Sequence, residues 1–256
     1  MKNKNIKISA LILICLLLIF VILKKDLIKR NLYYLSDSYP EIYNKFLHLV
    51  LDNDIVFSDD EINNLFNSLE TVDYIDIDPL YLKKTGSDQS KFRHLRKKTY
   101  YKIYRKDLNK RISGNVFIAD LIPTKDVYYK ACLFRNEPLY WLINKKVVQK
   151  LIHLQNLLNE NGYDPNGFKI KSGHRYPNYN KKIGGASLSR HVRGEAIDIV
   201  IEDIDKNGKY TKRDKQIVLD LLENKIIKNN GGIGRYPGSR SVHFDVRGYR
   251  ARWDSY

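Results

Sequence analysis

Cysteine is scarce in this sequence, which has only Cys15 and Cys132 in 256 residues. One lies in an apolar run and the other is far away, so no internal disulfide framework is available. Scarce cysteine is compatible with export but does not prove it. Internal repeats and low-complexity segments are also missing, and 19 tyrosines with 9 phenylalanines argue against disorder. The length allows one sizeable globular domain with accessory structure.

No A-x-A-like cleavage site follows the long apolar run at residues 8–23. Lysines flank this run on both sides, and they can snorkel from a segment slightly shorter than the ~20 residues of a spanning helix. We therefore expect residues 1–30 to form an uncleaved signal anchor in the cell membrane, with the rest exported. Cys15 has no small residue before it, which disfavours a lipoprotein. A buried core helix is the less favoured alternative, because the run is apolar on every face.

Acidic residues are too few to balance the basic ones, so the formal net charge is +16. A local basic cluster spans Arg93–Lys110. A solvated basic face is the commonest explanation of such a cluster. The functional alternative is contact with anionic lipid or an acidic wall polymer. Interleaved tyrosines also suit nucleic acid, but the predicted anchor leads us to expect no nucleic-acid partner.

Helical and strand-like patterns mix without regular βαβ alternation, which favours an α+β fold. We expect helices over 26–57 (broken at Tyr39-Pro40), after a capping box at Ser58–Glu61, over 147–158 and over 212–229. Strands are expected at 116–119, 127–134, 168–171, 196–201, near 233 and at 241–246, and a loop-rich region is expected over 72–113. The predicted parts are the anchor, a basic, tyrosine-rich membrane-proximal region of unknown role at 31–135, and a domain at 136–256.

The most informative motif places His191 and Asp198 seven positions apart, joined by a small glycine-containing turn. Asp198 lies inside an apolar strand, where an ionised carboxylate is costly without a partner. For an isolated aspartate, an arginine or backbone N–H donors would be sufficient as the partner. A second histidine on a separate strand, His243, tilts the interpretation towards a metal. Two histidines and a carboxylate can hold a catalytic zinc and leave one position open for water.

Asp245 shares a strand face with His243, because side chains alternate along a strand. It is expected to be either a carboxylate that supports the zinc ligand or a general base. The alternative is a salt bridge to Arg247 or Arg250.

The pattern Ser-x-His-x-x-Gly-x-Ala-x-Asp at residues 189–198 resembles the zinc-binding motif of the zinc D-Ala-D-Ala peptidases. Residues 172–180 resemble the same family's Ser-Gly-aromatic-Arg-x-x-x-x-Asn segment. The stretches 184–186, 232–238, 242–245, 247–248 and 252–253 are similar to one subfamily. The resemblance covers roughly residues 138–254. It implies a small antiparallel sheet flanked by helices, as in the wider group with lysostaphin-type enzymes and hedgehog domains.

By this resemblance the zinc ligands are His191, Asp198 and His243. Arg175 corresponds to the arginine that binds a substrate carboxylate or carbonyl oxygen, a role that suits a bidentate guanidinium. Ser189 stands where the family has a substrate-contacting serine; a turn-capping hydroxyl is the alternative. His174 replaces a usual tyrosine, so it either contacts substrate or packs in its loop.

The chain departs from better-known relatives just before the last zinc histidine. Many relatives have an acidic residue or histidine there, whereas this chain has Arg240 and Ser241. Asp245 is therefore the candidate general base. The resemblance implies a zinc carboxypeptidase or endopeptidase that hydrolyses peptidoglycan stem peptides or cross-links with metal-activated water. The alternatives are a non-catalytic wall- or polyanion-binding module that keeps the fold, and a membrane protein whose basic middle region is the active part.

Overall fold

A computed structural model describes residues 58–108, 110–123 and 127–254. The predicted anchor at 1–30 and the predicted helix at 26–57 lie outside these residues. Among the helices that are described, none is both long and apolar enough to cross a membrane.

Helix α1 (Asp59–Asn67) begins at the predicted capping box. The Ser58 hydroxyl accepts a hydrogen bond from the Glu61 backbone N–H at 3.3 Å, and the Glu61 carboxylate accepts one from the Ser58 N–H at 2.7 Å. This reciprocal pair satisfies two N–H groups that otherwise lack partners at a helix start. Ile62 and Phe66, one turn apart, are buried, so the predicted amphipathic helix is confirmed.

The first half of the described chain is a series of short elements. They are β1 (Thr71–Asp73), α2 (Pro79–Thr85), β2 (Thr99–Ile103), β3 (Arg111–Ser113), β4 (Val116–Phe117), α3 (Val127–Arg135) and β5 (Leu139–Trp141). Short 3₁₀ helices cover Tyr74–Asp76, Ser90–Lys97 and Ile118–Leu121. The strands β1, β2 and β5 form one antiparallel sheet, and β3 pairs with β4.

The second half contains longer elements and the main sheet. They are α4 (Lys145–Glu160), β6 (Phe168–Ser172), α5 (Pro177–Lys182), β7 (Ala196–Ile201), α6 (Lys212–Leu221), β8 (Gly232–Gly234), β9 (Ser241–Asp245) and β10 (Ala251–Trp253). A π-helical turn, Leu222–Ile226, extends α6. The main sheet has the order β10-β8-β9-β7-β6. Its pairs are antiparallel except for β10 with β8. Mixed helices and small sheets confirm the α+β prediction.

Two predictions between residues 72 and 134 are wrong, and the strand predicted at 116–119 is confirmed only for Val116–Phe117, because Ile118–Leu121 is a 3₁₀ helix. Residues 127–134 form helix α3 instead of a strand, because Tyr129, Cys132 and Leu133 recur at helical spacing and are all buried. The stretch 72–113 was expected to be loop-rich, yet most of it lies in strands and helical turns. Tertiary pairing of β2 with neighbours on both sides explains this difference, since aromatic and β-branched residues suit a half-buried strand.

A buried aromatic group links the two halves of the compact unit, Asp54–Tyr256. Trp141 on β5 is fully buried and stacks on Phe66 of α1 with ring centroids 5.9 Å apart. β5 also pairs with β2, so a sheet crosses the predicted boundary at residue 135. The assignment of separate roles to 31–135 and 136–256 stays a prediction.

Candidate metal centre

The register of the main sheet places Asp198 beside His243. Asp198 on β7 lies opposite His243 on β9 in the antiparallel ladder. On the other side of β7, Asp198 lies opposite Ser172 on β6. Direct cross-strand neighbours have Cβ atoms about 5 Å apart. The side chains of Asp198 and His243 therefore lie next to each other on the same face of the sheet.

The turn between α5 and β7 delivers the second histidine. Gly194 in this turn has a φ of +67°, a backbone conformation that favours glycine. A Cβ at this position would lie 2.1 Å from the carbonyl oxygen of Leu142. The chain therefore turns tightly against the segment before α4, and His191 comes to lie over the sheet.

Three ligand atoms converge where these segments meet. Nε2 of His191 lies 3.1 Å from Oδ1 of Asp198 and 3.2 Å from Nδ1 of His243. Nδ1 of His243 lies 2.7 Å from the same Asp198 oxygen. Two ligands of a tetrahedral zinc with bonds of about 2.0–2.1 Å are about 3.3 Å apart. The donor set and its spacing therefore fit a zinc ion, and the three predicted ligands are brought together.

Each histidine is oriented by a hydrogen bond from its other ring nitrogen. Nδ1 of His191 donates to the Gly173 carbonyl oxygen at 2.7 Å, which leaves the Nε2 lone pair facing Asp198. Nε2 of His243 donates to Oδ2 of Asp245 at 3.1 Å. Such partners fix the ring orientation of metal-binding histidines. The Gly173 carbonyl has no signal in the sequence, since a backbone oxygen carries no residue type.

Burial and mutual charge set the protonation of this cluster. Burial favours the neutral acid in Asp198, but His191 and His243 outweigh it and hold the pKa of this carboxyl well below its usual range. Burial lowers the pKa of His191. Burial opposes protonation of His243 as well, but Asp198 and Asp245 overcome it and raise the pKa of this imidazole. The carboxylate is thus ionised and ready to bind a cation.

Asp245 lies behind His243, on the side away from Asp198. It is fully buried, and its carboxylate accepts hydrogen bonds from Arg247 at both oxygens, from Nε to Oδ1 at 2.9 Å and from Nη2 to Oδ2 at 2.6 Å. It also accepts from the Gly232 N–H at 3.0 Å. Burial raises the pKa of Asp245, but His243 and Arg247 outweigh it and lower the pKa overall. This position suits the alternative of a supporting carboxylate better than that of a general base.

Arg175 reaches the His191–Asp198–His243 group from the loop after β6. Its guanidinium donates to Oδ2 of Asp198, the oxygen that does not face the histidines. Its Nε donates to the Ser172 hydroxyl at 2.7 Å. The side chain is 12% exposed. Arg175 therefore holds the Asp198 carboxylate, and a small part of its side chain remains exposed.

The other two predicted substrate contacts have structural partners. His174 is 2% exposed, and its Nδ1 accepts a hydrogen bond from the Leu142 N–H at 3.3 Å. Burial, with a smaller effect of His191, lowers the pKa of His174 to about 3. It is thus a packed, neutral histidine, as in the second alternative. The half-buried Ser189 accepts from the His191 N–H at 3.3 Å, as a turn cap does.

Trp253 is an additional residue at this site. Its ring centroid lies 5.1 Å from that of His243, and the Arg247 guanidinium lies 4.9 Å from the Trp253 ring. The sequence motif contains this tryptophan, but the parallel pairing of β10 with β8 that brings it near β9 cannot be read from periodicity.

Residues 126–245 match the family model of Peptidase M15. This M15 match includes the three candidate ligands and Arg175, and it supports the family predicted from the motifs. Peptidases of this family are generally zinc-dependent, so the match indicates a metallopeptidase domain. No curated protein and no solved structure matches the chain.

The predicted basic cluster precedes the M15-matched residues in the sequence. In the 3₁₀ helix Ser90–Lys97, Phe92 and Leu95 are buried, while Arg93 and Lys97 are exposed. Lys102 and Lys110 form ion pairs of 2.9 Å with acidic neighbours. This arrangement is a solvated basic face with some internal pairing, and its contact with a polymer or lipid stays a prediction.

Alanine at Gly194 is expected to lower the free energy of unfolding by roughly 3 kcal/mol. The substitution combines a positive φ, which costs about 1–2 kcal/mol for other residues, with a collision against a backbone carbonyl. Gly184→Ala is the matched control, because Gly184 has a φ of +74° and nothing within 4 Å of a new Cβ. Urea unfolding measures both variants, and equal losses would show that the Leu142 contact adds nothing.

Proposed function

We propose that this chain is a zinc-dependent peptidase that hydrolyses peptidoglycan stem peptides or cross-links. The observation that carries the proposal is the convergence of two imidazole nitrogens and one carboxylate oxygen within 3.2 Å of one another. Three protein ligands leave one position of a tetrahedral zinc for water or substrate, as catalytic sites require. The M15 match supports the same activity, and the peptidoglycan substrate comes from the resemblance to D-Ala-D-Ala peptidases.

The residues around the cluster have separate tasks in this proposal. His191, Asp198 and His243 would hold zinc, and bound zinc would supply a water of pKa about 7 and polarise the scissile carbonyl. Arg175 orients the Asp198 carboxylate and offers its exposed edge to the carboxylate or carbonyl oxygen of the peptide. Asp245 keeps Nδ1 of His243 turned towards the cluster.

The decisive test uses the full-length chain purified in detergent with two substrates. Purified peptidoglycan and short peptides ending in D-Ala-D-Ala are incubated with and without a chelator, and the products are identified by mass. Release of a single D-Ala indicates a carboxypeptidase, whereas cleaved cross-links indicate an endopeptidase. We expect chelation to abolish product formation and added Zn²⁺ to restore it.

A matched pair of histidine variants accompanies this test. His191→Ala removes a ligand and is expected to lower the rate at least about a thousandfold, since metal stabilisation of the transition state is worth several kcal/mol. His153→Ala changes an exposed histidine on α4 and is expected to leave the rate unchanged. Zinc binding without any metal-dependent product from either substrate would favour the non-catalytic wall-binding module instead.

The proposed location is the outer face of the cell membrane. An anchor at residues 1–30 would hold a basic enzyme beside its substrate, and the Arg93–Lys110 cluster would contact anionic lipid or wall polymer. Its support is the lysine-flanked apolar run and the net charge of +16. Fractionation of cells that express the chain, with external protease treatment, tests this location; a protease-protected chain in the soluble fraction would exclude it.

A further inference from the structure

The segment between β7 and α6 gathers acidic side chains away from the zinc ligands. Asp203, Asp205 and Asp214 each offer a carboxylate oxygen, and these oxygens lie within 4.8 Å of one another. Converging carboxylates repel one another unless a cation or several donors compensate them. The one cation paired with them in the described residues is Arg213, whose Nε lies 3.8 Å from Asp205 and which is 74% exposed. Such an exposed pair contributes little.

Backbone donors arrange these carboxylates around a tight loop. Asp214 is fully buried and accepts from the N–H groups of Ile204 at 2.8 Å and Thr211 at 2.6 Å, so it ties the two ends of the loop together. Asp203 accepts from the N–H groups of Asn207 at 3.0 Å and Gly208 at 2.7 Å. These donors place the carboxylates, but they carry no full positive charge.

The order of residues along this loop points separately to a calcium ion. Residues 203–214 read Asp-x-Asp-x-Asn-Gly followed by five residues and Asp. Calcium loops of twelve residues take ligands from positions 1, 3, 5, 7, 9 and 12 and have glycine at position 6 for the sharp turn. Here position 6 is Gly208, with a φ of +89° and open space around it. Position 7 offers the Lys209 carbonyl and position 9 is Thr211.

This loop departs from the usual calcium loop in two ways, and both are expected to change the affinity for the ion more than which ion is bound. Position 12 is Asp214 instead of glutamate, and its side chain is one methylene shorter, which weakens bidentate binding. The loop is entered from strand β7 instead of a helix, although α6 follows as usual. The offered ligands are all oxygens, which suit a hard cation such as Ca²⁺ and not zinc.

We propose that residues 203–214 form a Ca²⁺ site, separate from the zinc site and independent of the peptidase activity. The expected dissociation constant is about 10⁻⁵–10⁻³ M, the weaker part of the range for such loops. Ca²⁺ here would brace β7, which carries Asp198, against α6. Lys215 on α6 in turn donates hydrogen bonds to the carbonyl oxygens of Tyr236 and Ser239, in the turn before β9. Calcium is therefore expected to stabilise the position of β7 and, through α6, that of the turn before β9.

The test measures Ca²⁺ binding to the metal-stripped full-length chain by titration calorimetry and by thermal unfolding. We expect saturable binding, preferred over Mg²⁺, and a rise in Tm of about 3 °C or more at saturating Ca²⁺. Tb³⁺ provides a second probe, because Tyr210 lies within the loop and would sensitise its emission.

Three variants locate the ion. Asp203→Asn removes the charge at position 1 and is expected to weaken Ca²⁺ binding at least tenfold; Asp205→Asn does the same at position 3 if the first variant folds poorly. Asp220→Asn, an exposed aspartate on α6, is expected to bind like the unmodified chain. His191→Ala is expected to lose zinc but keep Ca²⁺ binding, so the two proposals can fail separately.

Absence of saturable binding and of any Tm shift up to 10 mM Ca²⁺, about ten times the weakest expected dissociation constant, would overturn the proposal. The same holds if Asp203→Asn and Asp205→Asn both bind as tightly as the unmodified chain. Loss of Ca²⁺ binding in His191→Ala would place the ion at the histidine cluster and would also reject the loop.

Discussion

Asp198→Asn is expected to lower kcat/KM for a D-Ala-D-Ala peptide at least about a thousandfold. Asparagine keeps the shape of the side chain but removes the negative charge that faces both histidines and Arg175. An amide is a poor zinc ligand, and it leaves the Arg175 guanidinium without its ionic partner in a largely buried position. Several kcal/mol of transition-state stabilisation are lost with the metal.

Two measurements separate loss of metal from loss of fold in this variant. Bound zinc is determined by elemental analysis, and the free energy of unfolding by urea denaturation. Asp220→Asn serves as the control, because it makes the same chemical change at an exposed site. If Asp198→Asn retained stoichiometric zinc and activity within tenfold of the unmodified chain, Asp198 would not be a ligand.

The candidate metal ligands could be predicted from sequence because their chemistry is carried by side chains at recognisable spacings. Asp198 could be identified because it is a carboxylate within an apolar strand. In the antiparallel pairing of β7 with β9 it lies directly opposite His243. The partners of these ligands could not be predicted in the same way. The Gly173 carbonyl that orients His191 and the contact of Arg175 with Asp198 depend on how the loop after β6 packs.

The fold could be predicted where the periodicity of hydrophobic residues extends over a long segment. The prediction failed where the elements are short. Helix α4 and strand β7 were expected close to their observed bounds. Helix α3 was not, because its tyrosines and valine favour strands in isolation, and only packing against the core selects the helical alternative. β2 has five residues, and its partners β1 and β5 are distant in sequence.

The candidate calcium loop lies between two elements that periodicity predicted well. In the sequence, this loop is recognised by a fixed order of oxygen-bearing residues with one glycine, and not by a periodicity of hydrophobic residues. Asp214 has two tasks there. Its carboxylate completes a capping box with Thr211 at the start of α6, and it closes the loop onto Ile204 and Asp205. One side chain therefore joins a local helix signal to a longer-range contact.

Asp245→Asn decides whether Asp245 orients His243 or acts as the general base. An asparagine amide can donate to Nε2 of His243, which favours the tautomer with the proton on Nδ1, the atom that should bind zinc. We expect zinc affinity to fall about 10–100-fold, as for other residues that support a metal ligand. Excess Zn²⁺ should then restore most of kcat, because the chemistry itself does not pass through this carboxylate.

A general base would give the opposite pattern. Zinc affinity would be unchanged, and kcat would fall about 10²–10⁴-fold at every zinc concentration. The geometry argues against this outcome, since Asp245 is fully buried and already bound to Arg247, Gly232 and His243. Zinc titrations followed by kcat and KM at saturation distinguish the two roles. Arg247→Lys, which retains the charge but not the paired hydrogen bonds, should shift zinc affinity in the same direction and by less.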